Sequence, residues 1–397
     1  MTSFRQDPAC RRHWRGGKAA LAALALILAA GATQAADCPD GNIAIGSDCV
    51  EVDHAADQIR ELVREAISAD DLEAVIVSVK VGEVPVLTEA WGESMTGVQA
   101  TPDMHFRNGA VAITYLATVL LQLQDRGLIS LDDKLSKWFP EYRRSDEVTL
   151  RMLINCTSGY ADYVNLRILP LHEDVFRQWT PDELLAIGLG QRMACDPGTC
   201  FNYAHTNFVM LGEVLRKAAG KPVEELLRDG ILAPLGLDDT RSESTAVIQE
   251  PVLHAFTAER DVYEDSTYWD PSWTLARGAI MTTNIHDLLT SAIAIGSGSL
   301  VSPESHKSMI APLTAQFPPF SDDLYYGLGI LVTNSWMVQT PSFAGYAAAM
   351  AYLPAKEIGI AVTATLGRKS PTERRPTDTL FAEIGAYLVP DQAPILP

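Results

Sequence analysis

The sequence predicts an α/β protein of the α+β type, with an antiparallel β-sheet flanked by N- and C-terminal helices and a mostly helical insertion. Three observations carry this prediction. A helix and a hairpin come first, strands and a helix come last, and the middle of the 397-residue chain is rich in helix starts. No internal repeat and no Pro/Gly/Ser-rich linker divides the chain, so its two ends are expected to meet in one sheet. A ligand cleft would then lie between sheet and insertion.

The first 35 residues stand apart from the fold. Arg11, Arg12, Arg15 and Lys18 precede an Ala/Leu-rich core over 19–31, and Thr33-Gln34-Ala35 offers small residues for cleavage near Ala35. This reads as an export signal, giving a periplasmic or secreted protein. The apolar run is shorter than the roughly 18 to 20 residues that spanning requires, and no later run reaches that length, so no transmembrane helix is expected in the mature chain. The formal net charge of -19 becomes -23 without those residues, 26 basic against 49 acidic. Such an acid excess disfavours nucleic acid as a partner, because replacing condensed counterions needs a basic surface.

The six cysteines fit an oxidising compartment. Cys10 leaves with the signal. Cys38 and Cys49 bracket a short loop, Cys195 and Cys200 bracket Asp196-Pro197-Gly198-Thr199, and both pairs are expected to form disulfides. Cys156 is then the odd thiol, read as buried and structural because an apolar run precedes it. Cysteine and histidine spacing matches no metal motif, so neither metal nor cofactor is expected. Residues 36–52 read as a disulfide-closed segment and 53–397 as one domain, its sheet part about 53–106 and 271–397 and its insertion about 107–270.

Within that domain, 53–68 is an amphipathic helix with Ala56, Ile59, Leu62, Val63 and Ile67 on one face. Strands follow at 74–81 and 84–92, joined through Gly82-Glu83. Residues 110–126 are apolar nearly all round, the mark of a central buried helix, and Gly127 ends it. Ser130 before Asp133, and Thr180-Pro181 before Glu183, have the spacing of helix N-caps, and Pro222 opens another helix after Gly220. Strands are expected at 326–333, 343–353 and 358–366, with a last helix at 376–388.

Several blocks carry a resemblance. Phe106-Arg107 before the buried helix, Gly127-Leu128-Ile129-Ser130-Leu131-Asp132-Asp133 after it, and Trp138-Phe139-Pro140 are similar to the region around the nucleophile in penicillin-recognising serine hydrolases. That group includes class C β-lactamases, D-alanyl-D-alanine carboxypeptidases and related esterases. Thr157-Ser158-Gly159, Phe201-Asn202-Tyr203, Ile231-Leu232-Ala233-Pro234-Leu235-Gly236-Leu237, Tyr326-Gly327-Leu328-Gly329 and Tyr352-Leu353-Pro354 resemble later blocks of the family. The resemblance covers about 53–388 and implies a β-lactamase/transpeptidase-like fold.

It also implies a chemistry that the residues do not supply. The family needs Ser and Lys three residues apart at the start of the buried helix, so that the amine takes the hydroxyl proton and frees the oxygen for acyl transfer. Those positions are Ala110 and Ile113. No change of register helps, because the nine lysines follow, three residues on, Arg15, Val77, Leu131, Lys134, Val214, Ala218, Glu304, Leu353 and Leu366. Thr114, the nearest hydroxyl, points about 100° around the helix from the Lys position. The family's Tyr-x-Asn reads Tyr203-Ala204-His205. Its His/Lys-Ser/Thr-Gly strand motif reads Gln339-Thr340-Pro341, and the proline removes a backbone donor. Cys156 stands where the family often has His.

The sequence therefore reads as an exported, catalytically degenerate relative that acts by binding a peptide, cell-wall fragment or protein in the former cleft, with Tyr203, His205, Gln339, Thr340 and Ser342 as candidate lining. One alternative is an active esterase, amidase or peptidase rebuilt around Tyr203 and His205, where imidazole could act as general base. Another is a purely structural interaction protein. Trp269 and Trp273, in a stretch that also holds Tyr263 and Tyr268, read equally as an aromatic overhang and as ordinary packing. The oligomeric state is not legible.

Overall fold

Residues 38–164, 173–243, 245–370 and 375–396 are described by a computed structural model. The expected export signal lies outside them. The chain opens with a hairpin, Asn42–Ile45 (β1) and Asp48–Glu51 (β2), closed by the Cys38–Cys49 disulfide. Helix Val52–Asp70 (α1) follows, then Leu72–Val81 (β3), Val84–Met95 (β4) and Val98–Gln99 (β5). Gly82 makes the β3–β4 turn at φ 54°, where a side chain would be strained. Phe106–Arg107 (β6) leads into Val111–Asp125 (α2). Twelve of that helix's fifteen residues are buried, as an all-round apolar sequence requires.

The middle holds Leu150–Ile154 (α3), Pro181–Gly190 (α4), His205–Ala219 (α5), Val223–Leu227 (α6) and Ala233–Leu235 (α7). Thr180 and Glu183 form the expected capping box of α4. Four short strands follow: Arg241–Ser242 (β7), Phe256–Thr257 (β8), Glu264–Asp265 (β9) and Met281–Thr283 (β10). After them come Ile285–Gly296 (α8), Pro303–Met309 (α9), Leu324–Tyr326 (β11), Leu331–Thr333 (β12) and Trp336–Gln339 (β13). Ser342–Phe343 (β14), Tyr346–Leu353 (β15), Ile358–Leu366 (β16) and Pro376–Leu388 (α10) finish the fold.

Both ends of the chain meet in one nine-stranded sheet of order β11-β12-β13-β15-β16-β3-β4-β5, with β14 paired to β15. Its named pairings are antiparallel, and β16 against β3 joins the C-terminal strands to the N-terminal hairpin. Side chains alternate between two cores. Val75, Val77 and Val79 of β3 and Ile360 and Val362 of β16 pack with Ile59, Val63, Phe381 and Ile384 of α1 and α10. Ala74 and Ile76, with Ala348 and Met350 of β15, face the larger core built around α2, α5 and α8. A small sheet of order β6-β10-β7 lies at the entry to α2.

Three sequence expectations need correction. Ser130 starts no α-helix: its N–H bonds Asp133 Oδ2 at 3.0 Å, but Lys134 bridges Thr149 and Leu135 N–H goes to Val148 O at 2.9 Å. The backbone there is already committed, and only a single 3-10 turn at Leu135–Lys137 forms. The expected strand at 326–333 is two antiparallel strands, β11 and β12, turning through Gly329 at φ 69°. The expected strand at 343–353 breaks at Ala344 and Gly345, both left-handed, between β14 and β15. Trp336–Gln339 adds a strand that the expected three did not include.

Candidate functional site

The start of α2 is an apolar wall. Gly109 takes φ 48°, and a Cβ there would lie 2.6 Å from Pro341 Cβ, so only glycine permits this approach. Ala110 is the residue before the helix and offers no side-chain cap. Ile113 is 0% exposed. Thr114 is equally buried and donates to Gly329 O at 2.7 Å, away from any reactive role.

The strand that faces α2 is tied to the same carbonyl. Gln339 Nε2 donates to Gly329 O at 2.8 Å, so two side chains converge on one acceptor and pin β13 to α2. Thr340 instead bonds Asp378 in the first turn of α10. Burial raises Asp378 to about 6, against the opposing pull of Arg375 and Thr340. Pro341 keeps its carbonyl in the ladder, accepting from Ala348 N–H at 3.0 Å. Ser342 is exposed. Of the five candidate lining residues, Gln339 is thus placed against α2, Thr340 points to α10, and Ser342 faces solvent.

Tyr203 and His205 form the opposite wall, where α5 begins. Burial pushes the Tyr203 phenol well above its ordinary value, with Cys156 and Asp162 adding to the shift. These surroundings favour the neutral phenol over the phenolate. Cys156 is fully buried at φ 60°, and desolvation raises its thiol to about 12, so it is an inert packing group. Ser158 is also fully buried and donates to Asn207 Oδ1 at 2.6 Å.

His205 has a partner that the sequence reading did not name. Its Nδ1 lies 3.2 Å from both oxygens of Asp162, and its own N–H donates to Asp162 Oδ1 at 3.1 Å. Val164 N–H bonds the same oxygen at 3.1 Å. Burial pushes Asp162 upward, but these hydrogen bonds outweigh it and hold the carboxyl below its usual range. The Asp162 side chain is 3% exposed and that of His205 20%. An orienting carboxylate is therefore buried behind a partly accessible imidazole.

Aromatic rings surround that imidazole. Tyr203 meets it edge-on at 5.4 Å, and Tyr163 and Trp273 lie at 6.1 and 6.3 Å. Trp273 also leans on Phe343, 5.8 Å away. The two tryptophans thereby separate: Trp273 belongs to the cleft, whereas Trp269 is 6% exposed and packs in the core. Tyr263 stacks on Phe256, and Tyr268 is 42% exposed.

Backbone bonds fix this wall. The Cys195–Cys200 disulfide closes a loop whose Ala194 and Gly198 N–H groups bond Gly159 O and Thr157 O, both at 2.8 Å. Asn202 continues the seam, its N–H donating to Cys156 O and its Nδ2 to Tyr160 O, again at 2.8 Å. The segment that ends in Asp162 is thus laid against the irregular residues that lead into His205.

Comparison with known proteins identifies the family and the fold. The chain is 31% identical to penicillin-binding protein 4 of Amycolatopsis lactamdurans over 147 residues, 36% of this chain and 37% of that one. It is 24% identical to penicillin-binding protein 4* of Bacillus subtilis over 244 residues, 58% of this chain and 52% of the relative. The chain therefore spans about half or less of these relatives' length. Among solved structures, a D-stereospecific amidohydrolase from Streptomyces sp. superposes with a TM-score of 0.72 at 25% identity, covering 83% of this chain and 99% of its own. The D-amino acid amidase of Ochrobactrum anthropi SV3 gives 0.73 at 21%, covering 83% and 97%, a likeness of fold. The Beta-lactamase family profile matches residues 59–383, and the chain belongs to that family.

Proposed function

We propose that this protein is an exported, catalytically degenerate member of the family that works by binding a ligand in the former cleft. The observation that carries this reading is the start of α2. Ala110 and Ile113 offer neither hydroxyl nor amine, and Ile113 is wholly enclosed in the apolar core. Acyl transfer of the family's kind needs both groups on one helical face. Pro341, packed on Gly109, occupies the approach beside them. Export is supported by the basic and apolar N-terminal sequence and by two disulfides, and among the described residues no helix is long and apolar enough to cross a membrane.

The ligand class follows from the family: a peptide or cell-wall fragment with D-amino acid character, or a protein presenting such a surface. A fluorescent penicillin and a fluorophosphonate probe should both leave the protein unlabelled by intact mass. Stoichiometric adduct would overturn the reading. Thermal shift against muropeptides and D-amino-acid dipeptides tests binding itself, since a ligand at 100 times its Kd adds about 2.7 kcal/mol.

The Asp162–His205 pair favours a second reading, a hydrolase without a covalent intermediate. The imidazole Nε2 would take a proton from water as its oxygen attacks an ester or amide carbonyl, and would return that proton to the departing alcohol or amine as the acyl C–O or C–N bond breaks. Turnover of D-amino acid amides or activated esters that disappears in His205→Ala would support it.

A further inference from the structure

Among the described residues, no carboxylate forms an ion pair with the buried guanidinium of Arg107. Its position in β6, three residues before Ala110, leaves it 3% exposed. Only Nη2 is used, donating to Ala246 O at 2.7 Å and to Thr267 O at 3.4 Å, while Nε and Nη1 are buried with no partner. The Phe343 ring, 5.7 Å from the guanidinium carbon, covers one side. Burial pushes the guanidinium below its ordinary value, and Tyr346, Asp270 and Glu243 act on it only through space. A charge taken out of water costs far more than two carbonyl contacts return unless something pairs with it.

Its neighbours share the deficit. Thr282 of β10 stands directly opposite Arg107 in the antiparallel ladder, so the two side chains share one face of the small sheet. Thr282 Oγ1 is buried and unpartnered, as are both polar atoms of the Asn108 side chain. Arg241 of β7 flanks Thr282 on its other side in the same register, adding positive charge to the row. The unmatched groups include guanidinium, hydroxyl and amide donors beside a cation, a combination that suits an anion.

We propose that Arg107, with Thr282 and Asn108, holds a small monovalent anion of halide size near the start of α2. The enclosure of Arg107 favours a small ion, and one negative charge matches the one guanidinium. The site is distinct from the cleft and does not depend on whether that cleft is catalytic. Its role is to let a cation be buried where the chain enters the central helix.

The test uses the full chain with chloride as probe. In gluconate buffer at constant ionic strength, replacing gluconate by chloride should raise the Tm by a few degrees and then saturate, as mass action requires. Arg107→Met should abolish that response, and Thr282→Val should demand several-fold more chloride. Because the Arg107 variant can fail to fold, crystals of the unsubstituted protein grown in bromide provide a second measurement. An anomalous peak in contact with Nε or Nη1 of Arg107 is expected. A chloride-independent Tm, an equal rise in folded Arg107→Met, or ordered water in place of bromide would each overturn the proposal.

Discussion

The start of α2 and the start of α5 differ in kind. On the α2 side every position that should react is apolar or committed elsewhere: Ala110, the enclosed Ile113, and Gln339 tied to Gly329. On the α5 side a buried carboxylate holds an imidazole inside a ring of aromatic side chains, and a disulfide-closed loop backs it. The comparison teaches that nucleophilic chemistry is an all-or-none possession. Under the proposed reading, a serine without its lysine confers little, so neither position need be kept once the other is gone. A polar pair that binds or orients carries no such dependence.

The largest effect should come from reversing the α2 wall. Ile113→Lys places an ammonium where the native side chain is 0% exposed, and should cost about 3–5 kcal/mol in urea denaturation. Adding Ala110→Ser should not yield an acyl adduct with penicillin, because Pro341 and Gln339 remain. An adduct would show that wall to be recoverable.

Next is the α5 wall. Asp162→Ala orphans His205 Nδ1 and the His205 and Val164 N–H groups together, and should cost about 2–3 kcal/mol, against about 1 kcal/mol for His205→Ala. Equal losses would mean that the imidazole, and not the carboxylate, organises the segment. The Asp162 pKa is lowered by folding, so its contribution is present above the unfolded value near 4 and fades as pH falls through the folded one. The gap between wild type and Asp162→Ala should accordingly narrow below about pH 4.

Asp378 behaves in the opposite sense. Its folded pKa of about 6 lies above the unfolded value, so the protonated form is favoured and stability is lost as pH rises from about 4 to 6. Asp378→Asn, which keeps a partner for Thr340, should raise stability by about 1–2 kcal/mol at pH 8 and change little at pH 4, as read by paired thermal melts. The smallest effect is expected from Thr114→Val. Losing one of two donors to Gly329 O should cost about 1 kcal/mol in urea denaturation.

Much of this fold was legible because its signals are local. The 3.6-residue apolar period of α1, the all-round apolarity of α2 and the alternation of β3 and β4 each report their own burial. Failures occurred where a distant segment decided the outcome. The apolar Leu328 and Ile330 read as strand, yet they are buried in a turn whose Gly329 packs on Ile113 O and Ala117 of α2. Ser130 carries a sound capping signal, but residues 148 and 149 had already claimed the backbone it would have started. In the site, Tyr203, His205 and Gln339 could be placed because the family's motifs mark their positions. Asp162 could not, since its bond to His205 spans 43 residues and no periodicity announces it. The Thr157-Ser158-Gly159 block nearby was the available hint: a short acid just beyond a left-handed glycine that packs against the Cys195 carbonyl.

The disulfide loop braces that wall. The Cys195–Cys200 bond closes a short loop ahead of His205, a closure of this length contributing about 2 kcal/mol, and Gly198 of that loop donates its N–H to Thr157 O on the segment leading to Asp162. Reducing that disulfide should loosen the loop while the hydrogen bonds between Asp162 and His205 stay in place.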